Sequence, residues 1–282
     1  MVGVGLNLSF VVAETVYGLI SGSMALIADA GHNMGDVLGL LAAWGASRLA
    51  TRRPSARFTY GFRSSSMLAA LFNAVLLLLV TGAIAYESIR RLFEPGVVAG
   101  PIVMIIAAIG IAVNGATAAL FASGRKGDLN LRGAFLHMAS DAIVSAGVVV
   151  AGAVIWVTGW TLLDPLVSLV ISGLIVLSTW SLLREALWMV MQAVPDAIRP
   201  DDVKAALMDM PGVKDLHDLH IWSMSTTETA LTCHLVMPDG HPGDPFLNDA
   251  RHMLKDRYRI SHATLQVELN ENCECPLHVI AA

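Results

Sequence analysis

The chain has 282 residues, of which 55% are hydrophobic and 15% charged, and its mean hydropathy is +0.63. Because soluble domains carry about 25% charged residues, this composition excludes an ordinary soluble protein and indicates one embedded in a membrane. The formal net charge of -5 argues against nucleic acid as a partner. Three cysteines cannot form an even disulfide framework, so nothing in the sequence requires an oxidising compartment.

Six apolar segments predict membrane-spanning helices, each of which needs roughly 20 apolar residues. They lie at about Val2–Ile20, Met24–Leu49, Ser65–Phe93, Pro101–Ala122, Leu129–Thr158 and Leu163–Leu183. The first segment lacks a basic region and a cleavage motif, so we interpret it as a spanning helix rather than a removable signal peptide. The sequence therefore predicts an all-α transmembrane domain of six helices over residues 1–190.

Basic residues predict how these helices are oriented, because short cytoplasmic loops carry an excess of lysine and arginine. The loops after the second and fourth helices contain most of them: Arg48, Arg52, Arg53, Arg57, Arg63, Arg125, Lys126 and Arg132. Arg90 and Arg91 are the exception, and Glu87 or Glu94 could pair with them at helical spacing. We expect a multi-pass protein of the cell inner membrane with both termini in the cytoplasm.

The second predicted helix carries ionisable residues inside its apolar run, in the stretch Ala28–Leu38. A charged side chain is costly inside a bilayer, so Asp29, His32 and Asp36 indicate a functional site. His32 and Asp36 are four residues apart and would share one face of the helix. Asp29 lies about one turn earlier, and we interpret it as an accessory or gating group rather than a ligand.

The fifth predicted helix repeats this spacing with His137 and Asp141. Two imidazoles and two carboxylates suit a tetrahedral divalent ion such as Zn²⁺. The alternative is a structural cluster that joins two helices by hydrogen bonds. Such a cluster would leave two carboxylates facing each other at low dielectric, which is unfavourable without a cation or protons. This favours a shared metal site whose ion exchanges with protons.

Four further polar residues lie in apolar surroundings and are not expected to be ligands. Asp164 stands at the start of the sixth helix, where we expect it to act as a cap. Asn73 and Asn114 are interpreted as partners in hydrogen bonds between helices. Glu14, in the first helix, has no assigned role.

After the sixth helix the composition becomes that of a soluble domain, residues 191–282. Its predicted elements are a helix from Asp201 or Asp202 to Met210, strands Val213–Ser223 and Glu228–Met237, a helix Pro245–Tyr258 and a strand Ala263–Leu269. The order αββαβ predicts a small α+β domain with both helices on one side of the sheet. Either Asp201 or Asp202 would cap the first of these helices.

Several residues of this domain have side chains that bind metals. Alternation along the first strand places His217 on one face of the sheet and His220 on the other. His234 lies on the second strand and Glu268 at the end of the third. The domain has no glycine-rich phosphate loop and no nucleophile elbow.

The last residues form a second group of potential ligands. Cys273 and Cys275 flank a single residue, and His278 follows them closely, which is a spacing found in metal sites. The alternative is a disordered tail with reduced cysteines. Cys233 shares a strand with His234 but points to the opposite face, so we expect it to pack in the core.

Together these motifs resemble the cation diffusion facilitator family over essentially the whole chain. The residues that carry the resemblance are Ser23–Asp36, His137 with Asp141, Pro211–Val213 and His217–Trp222. The sequence is similar to the bacterial zinc, cobalt and cadmium resistance branch and to vertebrate zinc transporters. Members of the family are homodimeric metal/proton antiporters with six membrane helices and a cytoplasmic metallochaperone-like, ferredoxin-like domain.

The resemblance implies particular site residues. The transported ion would lie between the second and fifth helices, on His32, Asp36, His137 and Asp141. The cytoplasmic domain would bind further zinc at His217, His234 and Glu268, with Cys273 and Cys275 matching a tail cysteine pair of some members. A histidine at position 32 favours zinc, because branches with aspartate there tend to manganese or to looser selectivity. Cadmium and cobalt stay open.

The chain departs from the family pattern in two places. The loop Arg48–Arg63 contains no Asp, Glu, His or Cys, so the metal site that some members have in this loop is absent. Ser64, Ser65 and Ser66 stand where relatives often have a glutamate early in the third helix.

We therefore predict a non-enzymatic antiporter that exports Zn²⁺, or Cd²⁺ or Co²⁺, from the cytoplasm in exchange for protons. We expect a homodimer in the lipid bilayer, with Zn²⁺ as its cargo and as a candidate regulatory ion. The alternatives are a membrane-anchored metal sensor without transport and an intramembrane metalloenzyme. Against the enzyme, the sequence has no His-Glu-x-x-His motif, and four protein ligands leave no open position for an activated water.

Overall fold

A computed structural model describes residues 2–122 and 129–270, and the side chains of these residues except 2–7, 121 and 129–134. Its six long helices are α1 Val2–Ser21, α2 Met24–Ala50, α3 Ser65–Phe93, α4 Gly100–Ala122, α5 Leu129–Thr158 and α6 Leu163–Val190. The helix α6 continues beyond the predicted end at Leu183. Arg184 and Glu185 interrupt the apolar run there, but both residues favour helix and the backbone has no reason to change.

Most of these helices are suited to crossing a membrane. Among the described residues, four helices are long and apolar enough: Ser65–Phe93, Gly100–Leu120, Phe135–Thr158 and Leu163–Val190. The described part of α1, Leu8–Ser21, is a shorter apolar helix. The helix α2 is less apolar because it contains Asp29, His32 and Asp36. The prediction of a helical membrane region is confirmed.

The chain folds into two compact units, of which the first contains the described residues up to Ala42 and from Phe72 to Leu183. Glycines let its helices approach closely. A Cβ atom on Gly35 would lie 2.7 Å from Leu77 Cδ1, and one on Gly100 would lie 2.7 Å from the backbone oxygen of Gly152. The helices α2 and α3, and likewise α4 and α5, therefore pack at distances that larger side chains would prevent.

Asp164 caps a different helix from the one predicted. Its carboxylate accepts hydrogen bonds from the Ser23 hydroxyl at 2.5 Å, the Met24 amide at 2.5 Å and the Ala25 amide at 3.3 Å. The Ser23 hydroxyl oxygen also accepts a bond from the Leu26 amide at 3.2 Å. Asp164 thus satisfies the N-terminus of α2, where the helix dipole favours negative charge, while it also lies in the first turn of α6.

The second unit contains residues 43–71 and the described residues from Arg184 onward. Its elements after α6 are α7 Pro200–Met208, β1 Asp215–Ser223, β2 Thr229–Val236, α8 Asp244–Tyr258 and β3 Ile260–Glu268. The sheet order is β1-β2-β3, with β1 antiparallel to β2 and β2 parallel to β3. Both α7 and α8 contribute to one core with the strands. The predicted α+β domain is confirmed.

The start of α7 differs from the prediction that Asp201 or Asp202 caps it. The residue before the helix is Arg199, which makes no side-chain capping bond, and Pro200 occupies the first turn. Proline fits this position because its missing amide hydrogen has no helical partner to lose. Both aspartates lie inside the first turn instead, where their charge complements the helix dipole.

A bulge in β1 overturns the predicted alternation of its histidines. His217 pairs with His234 on β2, but His220 pairs with Thr232, and the register shifts between them. Asp218 takes up the extra residue in the left-handed region, with φ 51°. Paired residues share a face, and so do residues two apart on β2. His217 and His220 therefore lie on the same face, not on opposite ones.

The serines that depart from the family pattern contact the β1–β2 hairpin, within the second unit. The Ser66 hydroxyl accepts a hydrogen bond from the Thr226 amide at 3.1 Å, and the Ser64 hydroxyl donates to the Met224 carbonyl at 3.5 Å. Arg63, directly before them, pairs with Glu228, the residue before β2. These serines therefore act as hydrogen-bonding partners of the hairpin.

Candidate metal centres

The four predicted membrane ligands come together between α2 and α5, in the first unit. His137 Nε2 lies 3.1 Å from Asp36 Oδ2 and 3.7 Å from Asp141 Oδ2. His32 Nε2 lies 3.5 Å from Asp141 Oδ1 and 3.8 Å from Asp36 Oδ2. One ligand atom from each residue can be chosen so that all four lie within 4.8 Å of one another. Each histidine therefore faces both carboxylates.

The four side chains differ strongly in their access to solvent. The side chain of Asp141 is 3% exposed and that of His32 20%, whereas Asp36 and His137 are 33% and 42% exposed. Among the described residues, Asp141 Oδ2 and His32 Nδ1 are buried without a hydrogen-bond partner. Such buried polar atoms are costly unless a ligand satisfies them. The cluster thus has an open side and a buried side with spare binding capacity.

A second layer of polar residues lies behind this cluster, and sequence reasoning gave it no role apart from Asp29. The Asn33 amide donates to Glu14 Oε2 at 3.2 Å, and the Ser145 hydroxyl donates to Asp29 Oδ2 at 3.1 Å. Asn33 directly follows His32, one of the predicted ligands. The available signal was Glu14 itself, an acidic residue in the middle of an apolar helix.

The second unit brings three predicted ligands together. His234 Nδ1 lies 2.8 Å from Glu268 Oε1, and His217 Nε2 lies 3.2 Å from Glu268 Oε2. The two imidazole centroids are 5.1 Å apart. One ligand atom from each of the three residues falls within 4.8 Å of the others. Two imidazoles and a carboxylate form a donor set that suits zinc and leaves a fourth position open.

Asp218 is a further residue close to this cluster that sequence reasoning missed. Its Oδ2 lies 3.6 Å from His234 Nε2, and its Oδ1 lies 3.0 Å from His220 Nε2. The bulge at Asp218 puts His220 on the same face of the sheet as the histidine pair, which strict alternation does not predict. The only signal in the sequence was the density of polar residues in a strand that otherwise alternates.

Among the described residues, no cysteine belongs to either cluster. Cys233 is buried in the core of the sheet domain, as predicted, and burial raises the pKa of its thiol to about 12. A protonated thiol is a poor metal ligand. Cys273 and Cys275, predicted as tail ligands, lie outside the described residues.

Two family models match the chain. The model described as "Cation efflux transmembrane domain" matches residues 1–191, and the one described as "Cation efflux protein, cytoplasmic domain" matches residues 195–270. Together they cover nearly all of the sequence, and the first alone covers more than half. The chain is a multi-pass membrane protein with a small α/β domain.

Individual relatives resemble the chain over almost its full length. "Zinc transporter ZitB" of Pectobacterium atrosepticum is 34% identical over 96% of this chain and 85% of its own. "Metal cation efflux system protein CzcD" of Cupriavidus metallidurans is 34% identical over 95% of this chain and 85% of its own. The "Cadmium, cobalt and zinc/H(+)-K(+) antiporter" of Bacillus velezensis is 34% identical over 92% of this chain and 84% of its own.

Proposed function

The chain belongs to the cation efflux family, and from this premise we propose that it exports Zn²⁺ in exchange for protons. Relatives are named as zinc transporters and as a cadmium, cobalt and zinc antiporter that uses H⁺. Cd²⁺ and Co²⁺ are the other candidate cargoes. Residues 1–190 would form the transport domain in the inner membrane, and residues 191–282 would lie in the cytoplasm with both termini.

The observation that carries this proposal is the geometry of His32, Asp36, His137 and Asp141. Four ligands at Zn–N and Zn–O distances of about 2.0–2.2 Å lie roughly 3.3–3.6 Å apart at tetrahedral corners. The separations between imidazole nitrogens and carboxylate oxygens here run from 3.1 to 3.8 Å. Small side-chain adjustments would therefore complete a tetrahedral site, and the two carboxylates would neutralise the ion's charge.

The same four groups can hold either the metal ion or protons. A metal needs the lone pair of one ring nitrogen of each histidine, so both imidazoles must be neutral. When protons occupy those nitrogens, each imidazolium faces carboxylate oxygens, the nearest of them 3.1 Å away between His137 and Asp36. Metal and protons thus compete for the same atoms. Protonation from the outer side would release the ion there, and deprotonation from the cytoplasm would allow reloading.

Transport is tested directly by reconstituting the full chain in liposomes with an acidic interior. Zinc uptake into these vesicles, reported by a trapped fluorescent chelator, should be accompanied by alkalinisation of the lumen. Dissipating the pH gradient with a protonophore should slow the uptake. Zinc binding without any flux would support the alternative of a membrane-anchored metal sensor and overturn the proposal.

We propose a second metal site in the cytoplasmic domain, on His217, His234 and Glu268, with Asp218 close enough to contribute. The short contacts of both histidines with Glu268 support it. The resemblance to homodimeric antiporters suggests that two such domains pair in the dimer, so zinc bound there would regulate transport. This site would be resident, whereas the membrane site would carry cargo.

Replacing His234 with alanine is expected to weaken zinc binding at the cytoplasmic site by at least ~100-fold, because it removes one of three strong ligands. The measurement is a zinc titration of the full-length protein, with the membrane site disabled by Asp141→Asn. His252→Ala is the matched control, since His252 is exposed on α8 and is not part of the cluster. Equal affinity in both variants would remove His234 from the site.

A further inference from the structure

We propose that Glu14 and Asp29, here called the acid pair, form a proton-binding site separate from the metal ligands and release a proton when the metal binds. This inference rests on the proposed metal/proton exchange and adds two residues to the groups that bind and release protons. Glu14 lies on α1 and Asp29 on α2, and both side chains are fully buried.

The geometry of the acid pair favours a shared proton. Glu14 accepts a hydrogen bond from Asn33, which lies one helical turn after Asp29 on the same face of α2, so the two buried carboxyls are neighbours. Carboxylate oxygens only accept hydrogen bonds, so a bond between two carboxyls exists only when one of them is protonated. Among the described residues, Glu14 Oε1 and Asp29 Oδ1 have no donor. A shared proton supplies the missing donor.

No fixed positive charge balances the acid pair. Among the described side chains, no lysine or arginine lies within 4.0 Å of either carboxyl. The other ionisable groups facing the pair are His32 on α2 and Asp141 on α5. The helix α4 has no ionisable residue, and those of α3 and α6 lie in the first or last two turns. Two bare carboxylates in this environment would repel each other strongly.

The acid pair is linked to the metal ligands through neutral residues rather than directly. Glu14 accepts a hydrogen bond from Asn33, the neighbour of His32, and Asp29 accepts one from Ser145, one turn beyond Asp141. Neither carboxyl forms an ion pair with any of the four ligands. A divalent ion arriving nearby favours the charged form of the pair by electrostatics, so the pair loses its proton to solvent as the metal binds.

The test is to count the protons released per zinc bound by the purified full-length protein in weakly buffered detergent solution. Glu14→Gln should release about one proton fewer than the wild type, since the glutamine amide takes the place of the shared proton between the two side chains. The glutamine amide can donate to Asp29, so the contact within the pair is kept. Asp29→Asn should give the same reduction by the reciprocal change.

Glu94→Gln is the matched control, because it makes the same chemical change at an exposed glutamate just after α3, away from the acid pair. It should leave the proton count unchanged. If either acid-pair variant binds zinc and releases as many protons as the wild type, the acid-pair assignment is wrong. If the wild type itself binds zinc without releasing protons and shows no flux, the proposed function fails instead. Zinc binding by either variant is enough to decide.

Discussion

Asp141→Asn is expected to abolish zinc flux while leaving the protein folded. Asparagine has the same shape as aspartate but lacks the negative charge, and it coordinates zinc weakly. Asp141 is the most buried of the four proposed ligands and faces both His32 and His137. Losing it leaves one carboxylate against a divalent ion at low dielectric, so we expect zinc affinity at this site to fall at least ~100-fold.

The measurement is initial zinc uptake in proteoliposomes of matched protein content. Asp256→Asn makes the same chemical change on the exposed face of α8 and should transport like the wild type. Asp36→Asn should also fail, but with a smaller loss of binding, because Asp36 is 33% exposed and water can partly replace it. Uptake by Asp141→Asn within twofold of wild type would remove this residue from the transport site.

The membrane site was predictable because its signal is local and is repeated. His32 with Asp36, and His137 with Asp141, each lie one helical turn apart, so their shared face follows from helix geometry alone. Their meeting across α2 and α5 is a long-range contact. It could be inferred only because carboxylates inside an apolar helix need a cation or protons to balance their charge, which favours a metal shared by the two pairs. The structure brings the two pairs together.

The acid pair shows what local patterns miss. Glu14 and Asp29 are on different helices, so no spacing along the sequence relates them, unlike the two residues of each His/Asp pair. Each was visible as an isolated carboxyl in an apolar helix, but which polar groups surround it depends on how α1, α2 and α5 pack. Asp164 is a similar case, because its position at the start of α6 is compatible with a cap on α6 and with a cap on the adjacent α2.

The histidine and carboxylate cluster of the second unit was predicted in part. His217, His234 and Glu268 were identified, but Asp218 and His220 were not, because one bulge residue reverses the alternation from that point along β1. A bulge leaves no clear sequence signal unless the residue is glycine. Here Asp218 tolerates the left-handed conformation through its short polar side chain.

Asp164→Ala is expected to be the most destabilising of the single substitutions considered, because it removes the acceptor for three donors at the start of α2. The Met24 and Ala25 amides lie in a buried environment. Each buried donor left without an acceptor costs about 1–3 kcal/mol. Loss of the charge at the helix N-terminus adds up to ~2 kcal/mol. The start of α2 would fray, and with it the positions of His32 and Asp36.

Thermal unfolding in detergent separates this structural role from a direct role in metal binding. Asp164→Asn retains one side-chain oxygen as an acceptor and should recover part of the stability lost in Asp164→Ala. Ser172→Ala is the control on the same helix, since the Ser172 hydroxyl is buried without a partner among the described residues, and deleting it should cost nothing. Zinc affinity should fall in step with stability across the aspartate variants. An Asp164→Ala protein that unfolds at the wild-type temperature yet loses zinc binding would place Asp164 in the metal site rather than at the helix start.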